Sequence, residues 1–381
     1  MIDTSISKQA RSSGIELLKI LAIFIIVISH VTQTLTSVNT DVPWTDYMID
    51  ISKASANGVN MALLVLRTFG IFGNSIFFIS SAWFLLNNDR VKAKKELKLF
   101  LDVWTISMVM CGVVLLVRHG SIEGKLLIKQ LFPTLFANNW YMTCYLLFYP
   151  IHGILNKSIR AMSQKELLLA ATALGTLYIL VDYVVGQVLF PSMLILWITI
   201  YVIVAYAKLY MRDLIDNNKV NVLLVLVGIL GNAGVIIATD LAGMKIGFLQ
   251  TKVMYWANNC SPFLLMAAFG LFNIFRNIDF SNRVINYISK MSLFIYVIHE
   301  NMLLRTYYRP MLWHEVYNRF GYSHVLVWLL ILAVEVFAFG LIMSILYEKT
   351  IERAVEKATD GLLPLLRKLY AKYEMLVMQL H

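Results

Sequence analysis

Ten apolar stretches divide this 381-residue chain, at about 15–36, 58–86, 96–118, 139–156, 166–189, 192–211, 220–241, 254–275, 287–306 and 323–347. A helix rises ~1.5 Å per residue, so ~20 residues cross the hydrocarbon layer of a bilayer. The fourth stretch is short, and the second is long enough to tilt or to include a turn outside the membrane. Hydrophobic residues make up 59% of the chain and charged ones 15%, whereas soluble domains run nearer ~half and ~a quarter. A water-soluble fold of this length has no interior large enough for that much apolar surface. The expected fold is an all-α, polytopic transmembrane helix bundle of about ten spans.

Orientation follows from the basic residues. With both termini placed in the cytoplasm, 22 of the 33 Lys and Arg residues fall on the inner side and 9 on the outer. That bias is the one expected of cytoplasmic loops. The net charge of +10 then reflects membrane topology and anionic headgroups, and no nucleic acid is expected as a partner. Residues 1–13 form a cytoplasmic tail, 14–347 the membrane domain, and 348–381 an amphipathic cytoplasmic segment. In that last part, "LLPLLRKLYAKYEMLVMQL" suits a helix on the inner leaflet or a coiled contact with a partner. The first apolar run carries Glu16 and Lys19 and lacks a small-x-small site, so it does not read as a removable signal. Cys111, Cys144 and Cys260 have no metal-ligand spacing and read as small core residues; no metal site is expected.

The first helix, "GIELLKILAIFIIVISH", contains three residues foreign to hydrocarbon: Glu16, Lys19 and His30. Lys19 and His30 are eleven residues apart, which returns to nearly the same face ~16 Å further along the axis. Glu16 is placed for an i, i+3 pair with Lys19. An ionised group at mid-bilayer costs roughly 2.5–3.5 kcal/mol, so this stripe must face protein or a wet cavity. The second helix repeats the pattern with Arg67, Asn74 and Ser81 spaced by seven. The ninth stretch, "SLFIYVIHENMLLR", sets Tyr296 one turn before His299; His299 beside Glu300 reads first as a helix-end pair. Structural readings stand beside the functional ones: Lys19 snorkels to headgroups, Glu16 merely pairs with it, and His30 is a satisfied histidine near the outer interface.

These residues resemble the acyltransferase type 3 family of integral-membrane O-acyltransferases, polysaccharide O-acetyltransferases among them. The family carries Arg, ten residues, then His in its first helix; here the pattern is Lys19, ten residues, His30. Its second helix has a basic residue, then Phe-Phe and Ser-Gly, matched by Arg67 and "FFISSAWFLL" with Ser81 and Ala82. "KELK", with Lys95 and Lys98, stands where two arginines are usual. "NNWYMTCYLLFYP", with Trp140 and Tyr141, and "SLFIYVIH" are similar to the family's fourth-span and late-helix signatures. Lysine in place of arginine keeps the charge but loses the planar two-point fork.

The resemblance implies transfer of an acyl group, acetyl above all, from acetyl-CoA as donor co-substrate to a saccharide hydroxyl at a bacterial cytoplasmic membrane. His30 is then the general base or a transiently acylated nucleophile. Arg67 and Tyr296 are candidates to stabilise the tetrahedral intermediate. Lys19, Lys95 and Lys98 would hold the phosphates of CoA, supported by Glu16, Ser81, Trp140, Tyr141 and His299. Asp41, Trp44 and Tyr47 in an outer loop are candidates to contact sugar. Self-association and contact with polysaccharide-biosynthesis proteins stay open as further partners beside the bilayer. The competing class is an exporter of a polysaccharide or lipid-linked saccharide, which buried charges and ten spans suit equally well. Against it, the sequence shows no helix pair broken by glycine or proline near mid-membrane.

Overall fold

The computed structural model describes residues 12–36, 49–118, 122–186 and 192–379. Asp41, Trp44 and Tyr47 lie outside the described residues, as does most of the N-terminal tail. Among the described residues there is no strand. The helices run α1 Ser13–Leu35, α2 Gly58–Arg67, α3 Phe69–Leu85, α4 Ala93–Val117, α5 Gly124–Leu131, α6 Trp140–Phe148, α7 His152–Ala161, α8 Gln164–Gly175 and α9 Asp182–Val185. They continue with α10 Met193–Tyr210, α11 Arg212–Ile215, α12 Asn218–Gly243, α13 Pro262–Arg276, α14 Arg283–Lys290, α15 Ser292–His299, α16 Arg309–Phe320, α17 Val325–Thr350 and α18 Glu352–Gln379.

Seven of the described segments are long and apolar enough to cross a membrane: 13–35, 58–85, 93–117, 164–185, 193–210, 218–243 and 322–350. The chain is a multi-pass, all-helical membrane protein. The other three expected spans are shorter or interrupted. Pro262–Arg276 is apolar but only 15 residues long, the fourth stretch is split by a 3-10 turn at Tyr149–Ile151, and the ninth is divided among α14, α15 and the turn after them. Helix α1 is the axis of the bundle. Two thirds of its apolar window (67%) is buried, against 22% for 164–185 and for 218–243, so those two segments are peripheral. α1 packs against α2, α3, α13, α14, α15, α16 and α17.

Small residues let α3 approach α1 closely, as in other membrane bundles where van der Waals contact drives association. A Cβ at Gly73 would stand 2.5 Å from Ile26 Cγ1 and 2.7 Å from the Ala22 carbonyl oxygen, and one at Gly70 would stand 2.8 Å from Ser29 Oγ. The Ser29 hydroxyl donates to the Arg67 carbonyl at 2.6 Å, which ties the α2–α3 junction to the same face. At the opposite end of α1, Ser13 Oγ donates to Asn286 Oδ1 at 2.8 Å, and Ser289 Oγ donates to Glu16 Oε2. Those bonds fix α14 on α1, and with it the start of α15.

The turn between α3 and α4 is anchored by Asp89, which accepts from Arg160 and from Asn156 Nδ2. Burial pushes the Asp89 carboxyl up, yet these hydrogen bonds and the Arg160 charge outweigh it and hold the group below its ordinary value. The amphipathic C-terminal segment forms α18, whose first turns pack along α4. Lys98 Nζ meets Glu352 Oε1 at 2.9 Å and Lys94 Nζ meets Asp360 Oδ1 at 2.6 Å, while Val355 and Thr359 are buried. This first half of the segment is therefore docked on the protein.

Gly73→Val should separate α1 from α3 at a cost of about 1–3 kcal/mol, read as a lower Tm in detergent; an unchanged Tm would contradict the close approach.

Candidate active site

The residues with most to say about chemistry converge five residues before the end of α1. His30 sits there, and α15 ends beside it with His299, followed by Glu300. All three are desolvated, at 8%, 2% and 6% exposure. The local sequence explains the break after α15 without glycine or proline. Asn301 Oδ1 accepts from the Leu303 backbone N–H at 3.0 Å, so its side chain starts a new helical turn as a capping residue does. The chain then passes through a π turn at Leu304–Tyr308 into α16. A sequence search for glycine- or proline-broken helices misses this discontinuity.

The hydrogen-bond network assigns the protons. His299 Nδ1 lies 2.7 Å from the Ile295 carbonyl oxygen, so Nδ1 carries the hydrogen and, in neutral His299, Nε2 presents a lone pair. His30 Nδ1 faces both that Nε2, at 3.0 Å, and Glu300 Oε2, at 2.7 Å. Two acceptors converge on one nitrogen, so His30 Nδ1 is the donor. In the neutral ring its Nε2 is then unprotonated and basic. A carboxylate that holds the far nitrogen of a histidine fixes both tautomer and ring orientation, as the third member of a hydrolytic triad does.

Glu300 is held in turn. Arg305 Nη1 reaches Oε1 at 3.1 Å, and Arg309 places Nη1 and Nη2 each 3.3 Å from Oε2. Arg309 is itself buried, at 6% exposure. A buried carboxylate is tolerable only with such partners. The tertiary structure thus assigns Glu300 to His30 on another helix rather than to its neighbour His299.

Aromatic side chains wall the cluster. Tyr296 meets the His299 ring edge-on, with centroids 5.9 Å apart, and meets Tyr141 at 5.9 Å. Tyr141 contacts Trp140, Phe77 and Trp197 in turn, and Ser81 lies beside the Tyr141 phenol. Tyr296, Tyr141, Trp140, Ser81 and His299 are therefore one continuous structure leading to His30. Arg67 is elsewhere: its Nη1 donates to Thr36 Oγ1 at 3.0 Å, at the terminus of α1.

The remaining candidates gather at the far end of α1. Lys19 Nζ pairs with Glu16 Oε1 at 3.3 Å. Lys95 Nζ lies 5.1 Å from the Tyr149 ring centroid and 5.9 Å from that of Tyr145, with Lys92 and Lys19 near enough to repel it. Lys98 is apart from this group, between Asp102 Oδ2 at 2.8 Å and Glu352 at 2.9 Å; Tyr347 donates to Asp102 as well. A phosphate at Lys98 has to displace one of two carboxylates, whereas Lys92 and Lys19 both lie near Lys95. An apolar groove of about 370 Å³ between α8, α10 and α13, lined by Ile179, Ile200, Leu265 and Phe269 among others, contains none of these residues.

His30, His299 and Glu300 also form a set with metal-ligand atoms within 4.8 Å of one another. Zinc ligands ~2.0–2.1 Å from the ion at tetrahedral angles stand roughly 3.3 Å apart, farther than the 2.7 and 3.0 Å seen here. An ion would also have to expel the His30 Nδ1 proton and compete with two guanidiniums for one carboxylate. The arrangement fits a hydrogen-bonded relay better than a metal centre.

A family profile describing an acyltransferase domain matches residues 12–347, and the chain belongs to that family of membrane acyltransferases. No curated protein and no solved structure matches it.

Glu300→Ala strands Arg309 without its counter-charge and should cost about 3–5 kcal/mol. Arg309→Met leaves Glu300 with Arg305 and should cost less. Equal losses of Tm in detergent would contradict the assigned pairing.

Proposed function

We propose that this protein transfers an acyl group, acetyl in the simplest case, from acyl-CoA on the cytoplasmic side to a hydroxyl of a cell-surface or lipid-linked saccharide. The observation that carries the reading is the Glu300 carboxylate on His30 Nδ1 at 2.7 Å, because it leaves Nε2 as an oriented base at the opposite end of α1 from the lysine cluster. In this reading His30 Nε2 takes the proton from the acceptor hydroxyl as its oxygen bonds to the thioester carbon. The tetrahedral intermediate collapses with cleavage of the C–S bond, and the imidazolium returns its proton to the departing CoA sulfur. An ester and free CoA result, and His30 is neutral again. Glu300 steadies the imidazolium in between, and Arg305 and Arg309 keep Glu300 ionised and in place. Acylation of Nε2 followed by transfer is the stepwise version of the same geometry.

Lys19, Lys92 and Lys95 are the proposed phosphate-binding group, and the Tyr145 and Tyr149 rings flank them. The distance along α1 from Lys19 to His30, ~16 Å, matches an extended pantetheine arm between its phosphates and its thioester. Tyr296, beside His299, is the aromatic candidate to contact the intermediate. Arg67 is assigned to holding the end of α1. The membrane is that of a bacterial cell, with the His30 end outward. One observation favours the exporter reading: the discontinuous helix at Glu300–Asn301, beside buried charge, resembles the broken helices that line transport sites.

Proteoliposomes supplied with isotope-labelled acetyl-CoA and envelope glycan distinguish the two. Label should enter the saccharide, and His30→Ala should reduce transfer by about 10²–10⁴-fold. Glu300→Gln, which offers His30 Nδ1 an amide in place of a carboxylate, should also lower kcat with a smaller effect on the KM for acetyl-CoA. Unlabelled saccharide that nonetheless crosses the bilayer would replace the transferase reading with the exporter.

A further inference from the structure

The charges around Glu300 do not balance. One carboxylate faces two guanidiniums, Arg305 and Arg309, and His30 and His299 add no negative charge. The excess positive charge makes a second anion beside these arginines favourable. Two features point to where that anion sits. Arg305 has 47% of its side chain exposed, and among the described residues the one hydrogen bond of that side chain runs from Nη1 to Glu300; the rest of its planar fork is open. Arg309, although buried, has no hydrogen-bond partner for Nε among the described residues.

Tyr307 and Tyr308 lie on the same π turn as Arg305, and Arg118 stands over the Tyr307 ring at 4.1 Å. Both tyrosines are half-buried against Cys111, Val114 and Leu303, so they brace the turn that presents Arg305. Proximity to His30 follows from Glu300 itself: its Oε2 touches His30 Nδ1 and its Oε1 touches Arg305, so a single carboxylate separates the imidazole from the guanidinium.

We infer that Arg305, with Arg309 behind it, binds an anionic group on the acceptor, a carboxylate or phosphate of an acidic sugar, and so selects acidic over neutral saccharides. The inference rests on the acyl-transfer reading only in calling this ligand the acceptor. A guanidinium fork prefers such planar or tetrahedral oxyanions by two-point contact. Arg305 then has two faces, one holding Glu300 and one turned to the ligand.

The test is binding of simple probes to the full-length protein in detergent, without donor. Glucuronate, glucose 1-phosphate, glucuronate methyl ester and glucose are titrated against Tm at fixed ionic strength, with sulfate as the anion control. The inference expects a saturable rise in Tm with glucuronate or glucose 1-phosphate, and which of the two acts identifies carboxylate or phosphate. It expects none with the ester or glucose. Arg305→Gln should weaken the active probe by about ten- to a hundred-fold, and Arg305→Lys should recover part of the loss. Should Arg305→Gln fail to fold, the comparison of glucuronate with its own methyl ester still decides. Equal responses to charged and neutral sugars, an equal response to sulfate, or no response to any probe overturns the inference. Because no acetyl-CoA is present, such a failure leaves the labelling result untouched.

Discussion

One carboxylate, that of Glu300, sits in the apolar interior between a histidine on α1 and two arginines on the chain beyond α15. Burying a charge is unfavourable by several kcal/mol unless hydrogen bonds and counter-charges surround it, and this group has both. Its satisfaction imposes a set of constraints at once. α15 must end where it does, Asn301 must restart the helix, and α16 must return Arg309 to the cluster. His30 must present Nδ1. The reactive face of the site follows from those requirements.

The rest of the bundle places that carboxylate. Gly70 and Gly73 let α3 close on α1, the Ser13, Glu16 and Ser289 contacts fix α14, and Gly340 lets α17 approach Ile295 on α15, where a Cβ would stand 3.1 Å from Ile295 Cγ2. Aromatic rings from α3, α6 and α10 then fill the space up to His299. The candidate groups for chemistry fall mainly in two zones at opposite ends of one central helix, with Lys19, near Lys95, at one and an oriented imidazole at the other.

Much of this was legible in the sequence because hydrocarbon tolerates so few polar residues. Glu16, Lys19 and His30 stand out in α1 for that reason alone, and the i, i+3 pair is observed where helical geometry puts it. Span number was less legible. Length and apolarity cannot distinguish a continuous span from α14 and α15, which are separate helices inside one apolar run. Arg305 and Arg309 were hidden by another effect, and Glu300 was read only beside His299. They stand at the end of the ninth apolar stretch or just past it and resemble ordinary loop charges, although three ionisable residues within ten, directly after "IYVIH", were a signal. The partner of Glu300 is 270 residues away in sequence, and only the tertiary contact between α1 and α15 shows that Glu300 belongs to His30 rather than to His299. Lys98 and Arg67 illustrate the converse. Charge and spacing made both candidates, and spacing alone does not show their immediate neighbours, Asp102 and Glu352 for one and Thr36 for the other.

The central claim concerns a proton, and nitrogen-15 NMR of histidine-labelled protein in lipid measures it directly. The account predicts that the His30 signal, assigned by its loss in His30→Gln, shows a protonated Nδ1 and a bare Nε2 in the neutral ring, and that Glu300→Gln disturbs this tautomer. A His30 ring protonated at Nε2, or one indifferent to Glu300→Gln, would contradict it.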